Sequence, residues 1–193
     1  TLTESWNGSS WTEVNNLNTG RQLLAGSGTS TAALAFGGFV PPNTAATESW
    51  NGTNWTNVNS LNTARNQLAG DGTSTSTLAF GGNSSPNALT ESWNGSNWTE
   101  VGDLTTARRT LAGAGTSNTA ALAFGGGSPS KDETELWNGS NWTEVADLST
   151  ARTGLGGHGT TTAALAFGGE GPPLSTATEE WNVTGGVSTI DAS

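Results

Sequence analysis

Apolar and polar positions alternate in short runs along this chain, and no run keeps the three-to-four spacing of a helix. Thr31–Phe36 reads T-A-A-L-A-F, which places Leu34 and Phe36 on one face and Ala33 and Ala35 on the other. Gly37-Gly38 ends that run, and Leu24–Thr29 before it predicts a glycine-rich strand of small residues. A proline-containing loop follows, then Glu48-Ser49-Trp50 and Thr53-Asn54-Trp55 on either side of Asn51-Gly52. Asn-Gly between such runs predicts a two-residue type I′ hairpin, because both positions tolerate positive φ. In that register Trp50 faces Thr53 and Glu48 faces Trp55, with the indoles as diagonal neighbours.

The pattern repeats. E-S-W-N-G-S-S-W-T-E-V at Glu4–Val14 recurs, with small changes, at Glu48–Val58, Glu91–Val101 and Glu135–Val145, and a decayed copy begins at Glu179. Trp6, Trp50, Trp93, Trp137 and Trp181 follow one another at 43 or 44 residues, as do Arg21, Arg65, Arg108 and Arg152. Phe36, Phe80, Phe124 and Phe167 keep the same beat, each followed by Gly-Gly. A fixed period of this length is the mark of a repeat architecture.

Four strands per period without a helix predict an all-β β-propeller with four blades of four antiparallel strands. Glycine-rich strands suit the crowded centre, and paired tryptophans suit the splayed outer wedge. Residues 1–193 read as one propeller domain, with repeats beginning near residues 21, 65, 108 and 152. The N-terminal hairpin, 2–14, is expected to complete the last blade and close the ring without a free edge. Thr178–Trp181 duplicates the strand already offered by Thr3–Trp6, so a homo-oligomer through the duplicated terminal strands is the second arrangement.

Composition changes the picture in a few places. A hydrophobic fraction of 32% would suit a disordered chain, but nine tryptophans at fixed positions argue for a folded one. Each buried indole removes about 150–250 Å² from water. A net charge of −10 with six basic residues leaves no basic stripe for nucleic acid, and no apolar run is long enough for membrane insertion. With no cysteine, neither a disulfide framework nor a thiolate metal site can form. The lack of methionine, even at position 1, suggests a processed chain or a piece of a longer one.

The order of arginine, glycine-rich strand, apolar strand ending in Gly-Gly and two closely spaced aromatics resembles the kelch repeat. Arg152-Thr153-Gly154-Leu155-Gly156-Gly157-His158-Gly159 is especially similar to that family's arginine and Gly-His-Gly region. The resemblance covers all four copies. It departs in having tryptophan at Trp6, Trp50, Trp93 and Trp137 where kelch has tyrosine, and in a shortened segment between the aromatics. The S-W-N-G-x-x-W-T-E-V style also resembles kelch-type repeats of marine phage and bacterial surface proteins, which implies an extracellular or virion-surface setting. The resemblance implies a propeller and a binding role, and supplies no ligand.

Enzymatic chemistry finds little support. His158 is the single histidine, so an imidazole pair for zinc or copper is lacking, and no cofactor is expected. Paired carboxylates such as Glu4 and Glu13 could serve glycoside hydrolysis, but they are copied blade by blade, whereas a catalytic site occurs once. The repeated Arg21, Arg65, Arg108 and Arg152 are expected to pair with Glu4, Glu48, Glu91 and Glu135 or with backbone groups as structural elements. An arginine ring binding an anion is the functional alternative. Sequons such as Asn51-Gly52-Thr53 and Asn54-Trp55-Thr56 read as turn chemistry.

Two function classes remain. The first is a non-enzymatic binding or structural scaffold that meets protein through the loops after each Gly-Gly, at Phe39–Ala46, Asn83–Leu89, Gly127–Glu133 and Glu170–Ala177. Its candidate rim residues are Phe39, Pro41, Asn43, Asn83, Asn87, Ser128, Lys131, Glu170 and Pro172. The second is a multivalent lectin, with glycan stacked on Trp6, Trp11, Trp50, Trp55, Trp93, Trp98, Trp137 and Trp142. A lectin needs an open indole in every blade; a scaffold buries both.

Overall fold

A computed structural model describes residues 2–171, 174–184 and 187–192. All regular structure among them is strand. The N-terminal hairpin is β1 (Thr3–Trp6) with β2 (Trp11–Val14). The first full sheet holds β3 (Ala25–Thr29), β4 (Ala32–Phe36), β5 (Thr47–Trp50) and β6 (Trp55–Val58). The second holds β7 (Ala69–Thr73), β8 (Ser76–Phe80), β9 (Thr90–Trp93) and β10 (Trp98–Glu100). The third holds β11 (Ala112–Ser117), β12 (Ala120–Phe124), β13 (Thr134–Trp137) and β14 (Trp142–Glu144). The fourth holds β15 (Gly156–Gly159), β16 (Ala163–Phe167), β17 (Thr178–Thr184) and β18 (Val187–Ala192). Within each sheet the strands lie in chain order and pair antiparallel.

The four sheets stack in series through their glycine-rich strands, β3 on β7, β7 on β11 and β11 on β15. Leu23, Gln67, Thr110 and Gly154, one from each repeat, line a single shared depression beside these strands. This all-β serial stacking is consistent with a propeller-like repeat fold. Leu34, Phe36, Leu78, Phe80, Leu122 and Phe124 are buried between successive sheets, as the period-two pattern requires.

Two expectations are corrected. The N-terminal hairpin does not complete the fourth sheet. β16 pairs with β17, register Ala164↔Trp181, and among the described residues β1 pairs only with β2. The longer β17–β18 ribbon follows β16 directly in the chain and takes that edge. The hairpin instead caps the first sheet: Trp55 Nε1 donates to Thr3 Oγ1 (3.1 Å), and Asn15 Nδ2 donates to Asn54 Oδ1 (2.7 Å).

The tryptophan hairpin also has a loop two residues longer than a type I′ turn. Trp50 lies opposite Trp55 and Glu48 opposite Asn57. The cause is the asparagine side chain: Asn51 Oδ1 accepts from the N–H of Thr53 and of Asn54, each at 2.9 Å. That satisfies the loop's donors and widens it to four residues. Asn7, Asn94 and Asn138 do the same in their copies.

Candidate functional site

The arginines and glutamates form buried ion pairs inside each full sheet. Arg108 Nη2 lies 3.0 Å from Glu135 Oε1, and Arg152 Nη2 lies 2.8 Å from Glu179 Oε1. Arg21 pairs with Glu48 at 2.5 Å, and Arg65 pairs with Glu91. Each guanidinium also donates to the main chain of the neighbouring apolar strand, at Ala35, Ala79, Ala123 or Ala166. The second carboxylate oxygen accepts from the N–H of Asn18, Asn62, Thr105 or Ser149, each at 2.7 Å. Burial pulls Arg65 and Arg108 below their ordinary value, while Glu91 and Glu135 beside them work to raise it. With their charge already matched, these arginines tie the linker before each sheet to its third strand. Glu4, on the hairpin, is exposed.

The indoles behave as wedges. Trp50, Trp93, Trp98, Trp137 and Trp142 are buried, Trp55 is half-buried, and Trp6 and Trp11 on the N-terminal hairpin are exposed. The inner ones are bonded within their own sheet, for example Trp93 Nε1 to Ser74 O at 3.1 Å. The outer ones reach back to the preceding sheet, with Trp98 donating to Thr47 Oγ1 and Trp142 to Thr90 Oγ1, each at 3.0 Å. An indole open to solvent is therefore not a feature of each repeat.

The loops after Gly-Gly are brought side by side along one edge of the stack. Asn43 Nδ2 donates to Asn83 O (2.8 Å), and Asn66 Nδ2 donates to Asn43 Oδ1 (2.6 Å). Farther along, Arg109 Nη1 donates to Asn83 Oδ1 (3.2 Å), and Ser130 Oγ donates to Glu170 O (3.4 Å). Phe39 and Glu170 occupy equivalent places, each bridged to the chain before its own inner strand at Gln22 or Thr153. Pro41, Ser128 and Glu170 are exposed, and Asn43, Asn83 and Asn87 are half-buried. Pro172 lies outside the described residues.

Between the second and third of these loops lies a polar groove of about 240 Å³, lined by Asn87, Ala107, Arg108, Arg109, Gly127, Ser128 and Lys131. Three of the chain's six basic residues meet there. Arg108 is committed to Glu135, while Lys131 Nζ sits 3.0 Å from Glu133 Oε1 and keeps part of its surface in water. Burial alone would raise the Glu133 carboxyl. Its backbone hydrogen bond, the hydrogen bond and charge of Lys131, and Arg108 together hold it below its ordinary value. The groove thus presents cationic donors in a strongly acidic molecule. Asn87, Ser128 and Lys131 were legible as loop residues. Arg109 was not singled out in the sequence, although it is the one arginine that breaks the repeat spacing.

No family model matches the chain, and comparison with curated proteins finds no match.

Proposed function

We propose that this chain is a non-enzymatic binding or structural scaffold, a kelch-like propeller module at a cell or virion surface that meets protein partners through its loop rim. The observation that carries the reading is the groove between Asn87 and Lys131. Loops that differ in sequence from copy to copy are set side by side on repeating sheets, and Arg109 and Lys131 converge where two of them meet. Variable loops on an unvarying scaffold are where binding residues are concentrated. A groove with two partly hydrated cations suits carboxylate and main-chain carbonyl groups of a polypeptide.

The lectin alternative called for an open indole in every repeat. Both tryptophans of the second and third full sheets are buried, which favours the scaffold. Two screens test the choice. On a glycan array, the scaffold reading expects no saturable binding; a hit that shifts tryptophan emission would overturn it. In peptide-display selection, the hits are expected to lose binding when Arg109 and Lys131 are replaced by serine. Hits indifferent to both changes would remove the loop rim as the binding surface.

A further inference from the structure

The three sheet-to-sheet interfaces reuse one set of contacts. Phe36 sits over Gly70, Phe80 over Gly113 and Phe124 over Gly157, so close that a Cβ on the glycine would lie 2.4, 2.6 or 2.5 Å from the ring's Cζ. Gly38, Gly82 and Gly126 donate to the carbonyls of Arg65, Arg108 and Arg152 at 2.9, 3.0 and 2.8 Å. Gln67, Thr110 and Gly154 donate to the carbonyls of Leu23, Gln67 and Thr110 at 2.9, 2.8 and 2.8 Å. Outside these, Trp98 packs on Phe36 and Trp142 on Phe80, with ring centroids 5.0 and 5.1 Å apart.

The two terminal faces carry opposite halves of this set. On the fourth sheet Leu165 and Phe167 are 44% and 45% exposed, where their counterparts in the earlier sheets are buried. Phe167 lies instead against Gly156 of its own sheet. On the first sheet, among the described residues, only Leu34 O, at 3.2 Å, stands near where a Cβ on Gly26 would be, and no ring of theirs fills that place. No contact comparable to those between successive sheets joins β3 to β15 among the described residues. Between the hairpin and the first sheet runs a groove of about 430 Å³, walled by Thr3, Trp6 and Trp11 of the hairpin and by Ala33, Trp50 and Trp55 of the first sheet. In the full sheets, the strand equivalent to β1 has an apolar strand paired along that side.

The geometry points to a second copy of this chain as the occupant. The β15–β16 hairpin of one copy enters the groove of another. Phe167 seats over Gly26, and β1 replaces β17 along β16. The repeat register then puts Glu4 where Glu179 stands, within reach of Arg152, and covers Trp6 and Trp11. The contact is head-to-tail, so two copies that exchange hairpins close on one another. It continues three interfaces already present in the chain, and it is independent of the loop rim. Since each copy carries a net charge of −10, added salt is expected to strengthen it.

The lack of cysteine makes the test clean. Ser27 and Thr77 touch across the first interface, with hydroxyl oxygens 2.7 Å apart; their counterparts at the two terminal faces are His158 and Ala33. His158→Cys and Ala33→Cys are made in separate full-length chains, mixed and mildly oxidised. The expected product is a disulfide-linked pair formed only in the mixture. Phe167→Ala, a change at an exposed position, should lower its yield and weaken association by on the order of tenfold or more. A chain that stays monomeric by sedimentation and forms no mixed disulfide would overturn the proposal. So would an intrachain disulfide in dilute double variant, because the ring would then close within one chain.

Discussion

Arg108 and Glu135 face each other at 3.0 Å with both side chains closed off from water. The guanidinium also donates to the carbonyls of Ala123 and Glu133, while Glu135 accepts from the N–H and the hydroxyl of Thr105. Removing one partner would strand a buried charge, which costs about 3–5 kcal/mol. Glu135→Gln is therefore expected to lower the unfolding free energy by that order in denaturant titration. Arg108→Lys should also destabilise, since an ammonium cannot reach Glu135 and both carbonyls from one planar fork. A lysine variant of unchanged stability would show that charge alone matters there.

The second prediction concerns the glycines that receive phenylalanine. At Gly70 an added Cβ would meet the Phe36 ring at 2.4 Å, whereas at Gly26, among the described residues, only a carbonyl oxygen lies nearby, at 3.2 Å. Overpacking of this kind costs roughly 1–3 kcal/mol. In dilute solution, where the copies are apart, Gly70→Ala should lower the melting temperature clearly and Gly26→Ala little, although both glycines sit in the same place in their repeats. Equal losses would mean that glycine is needed for the strand and not for the ring.

How far the sequence reveals this molecule depends on the kind of signal. Strand identity comes from alternation and from Gly-Gly stops, so β4, β8, β12 and β16 fall where T-A-A-L-A-F and its copies lie. Burial of Trp93 and Trp137 follows from repetition, because a side chain copied into every sheet is doing the packing. The hairpin register was not legible, since Asn-Gly also fits a wider loop once the Asn51 side chain binds the chain two and three residues ahead. Nor was the partner of β16. Two segments of near-identical sequence compete for that edge, and proximity along the chain, which a repeat pattern does not weigh, favours β17. The groove around Arg109 and Lys131 arises from separate loops whose neighbourhood only folding establishes.

A third prediction follows from Asp71, which stands in β7 where the other repeats have Ser27, Ala114 and His158. Burial pushes its carboxyl up from 3.8 to about 7, and its Oδ2 has no hydrogen-bond partner among the described residues. The folded chain therefore holds this proton more tightly than the unfolded chain does. Stability is fully present below the unfolded value, falls as pH rises through the window up to about 7, and stays lost above it. The loss is on the order of 4 kcal/mol. Asp71→Asn should flatten this slope and raise the melting temperature at alkaline pH. An unchanged pH profile would mean that water reaches the carboxylate.

The indoles provide the last prediction. Trp11 is 64% exposed, while Trp98, its counterpart two sheets on, is 5% exposed, packs on Phe36 and donates to Thr47. In dilute solution Trp11→Phe should remove much of the acrylamide-accessible, red-shifted emission and leave stability nearly unchanged. Trp98→Phe should leave that accessible emission in place and lower stability by about 1–3 kcal/mol, through the lost hydrogen bond and the void left under the ring. As concentration rises, the emission assigned to Trp11 should shift to the blue as the groove fills. An emission that stays red while the copies associate would place the contact between them away from the N-terminal hairpin.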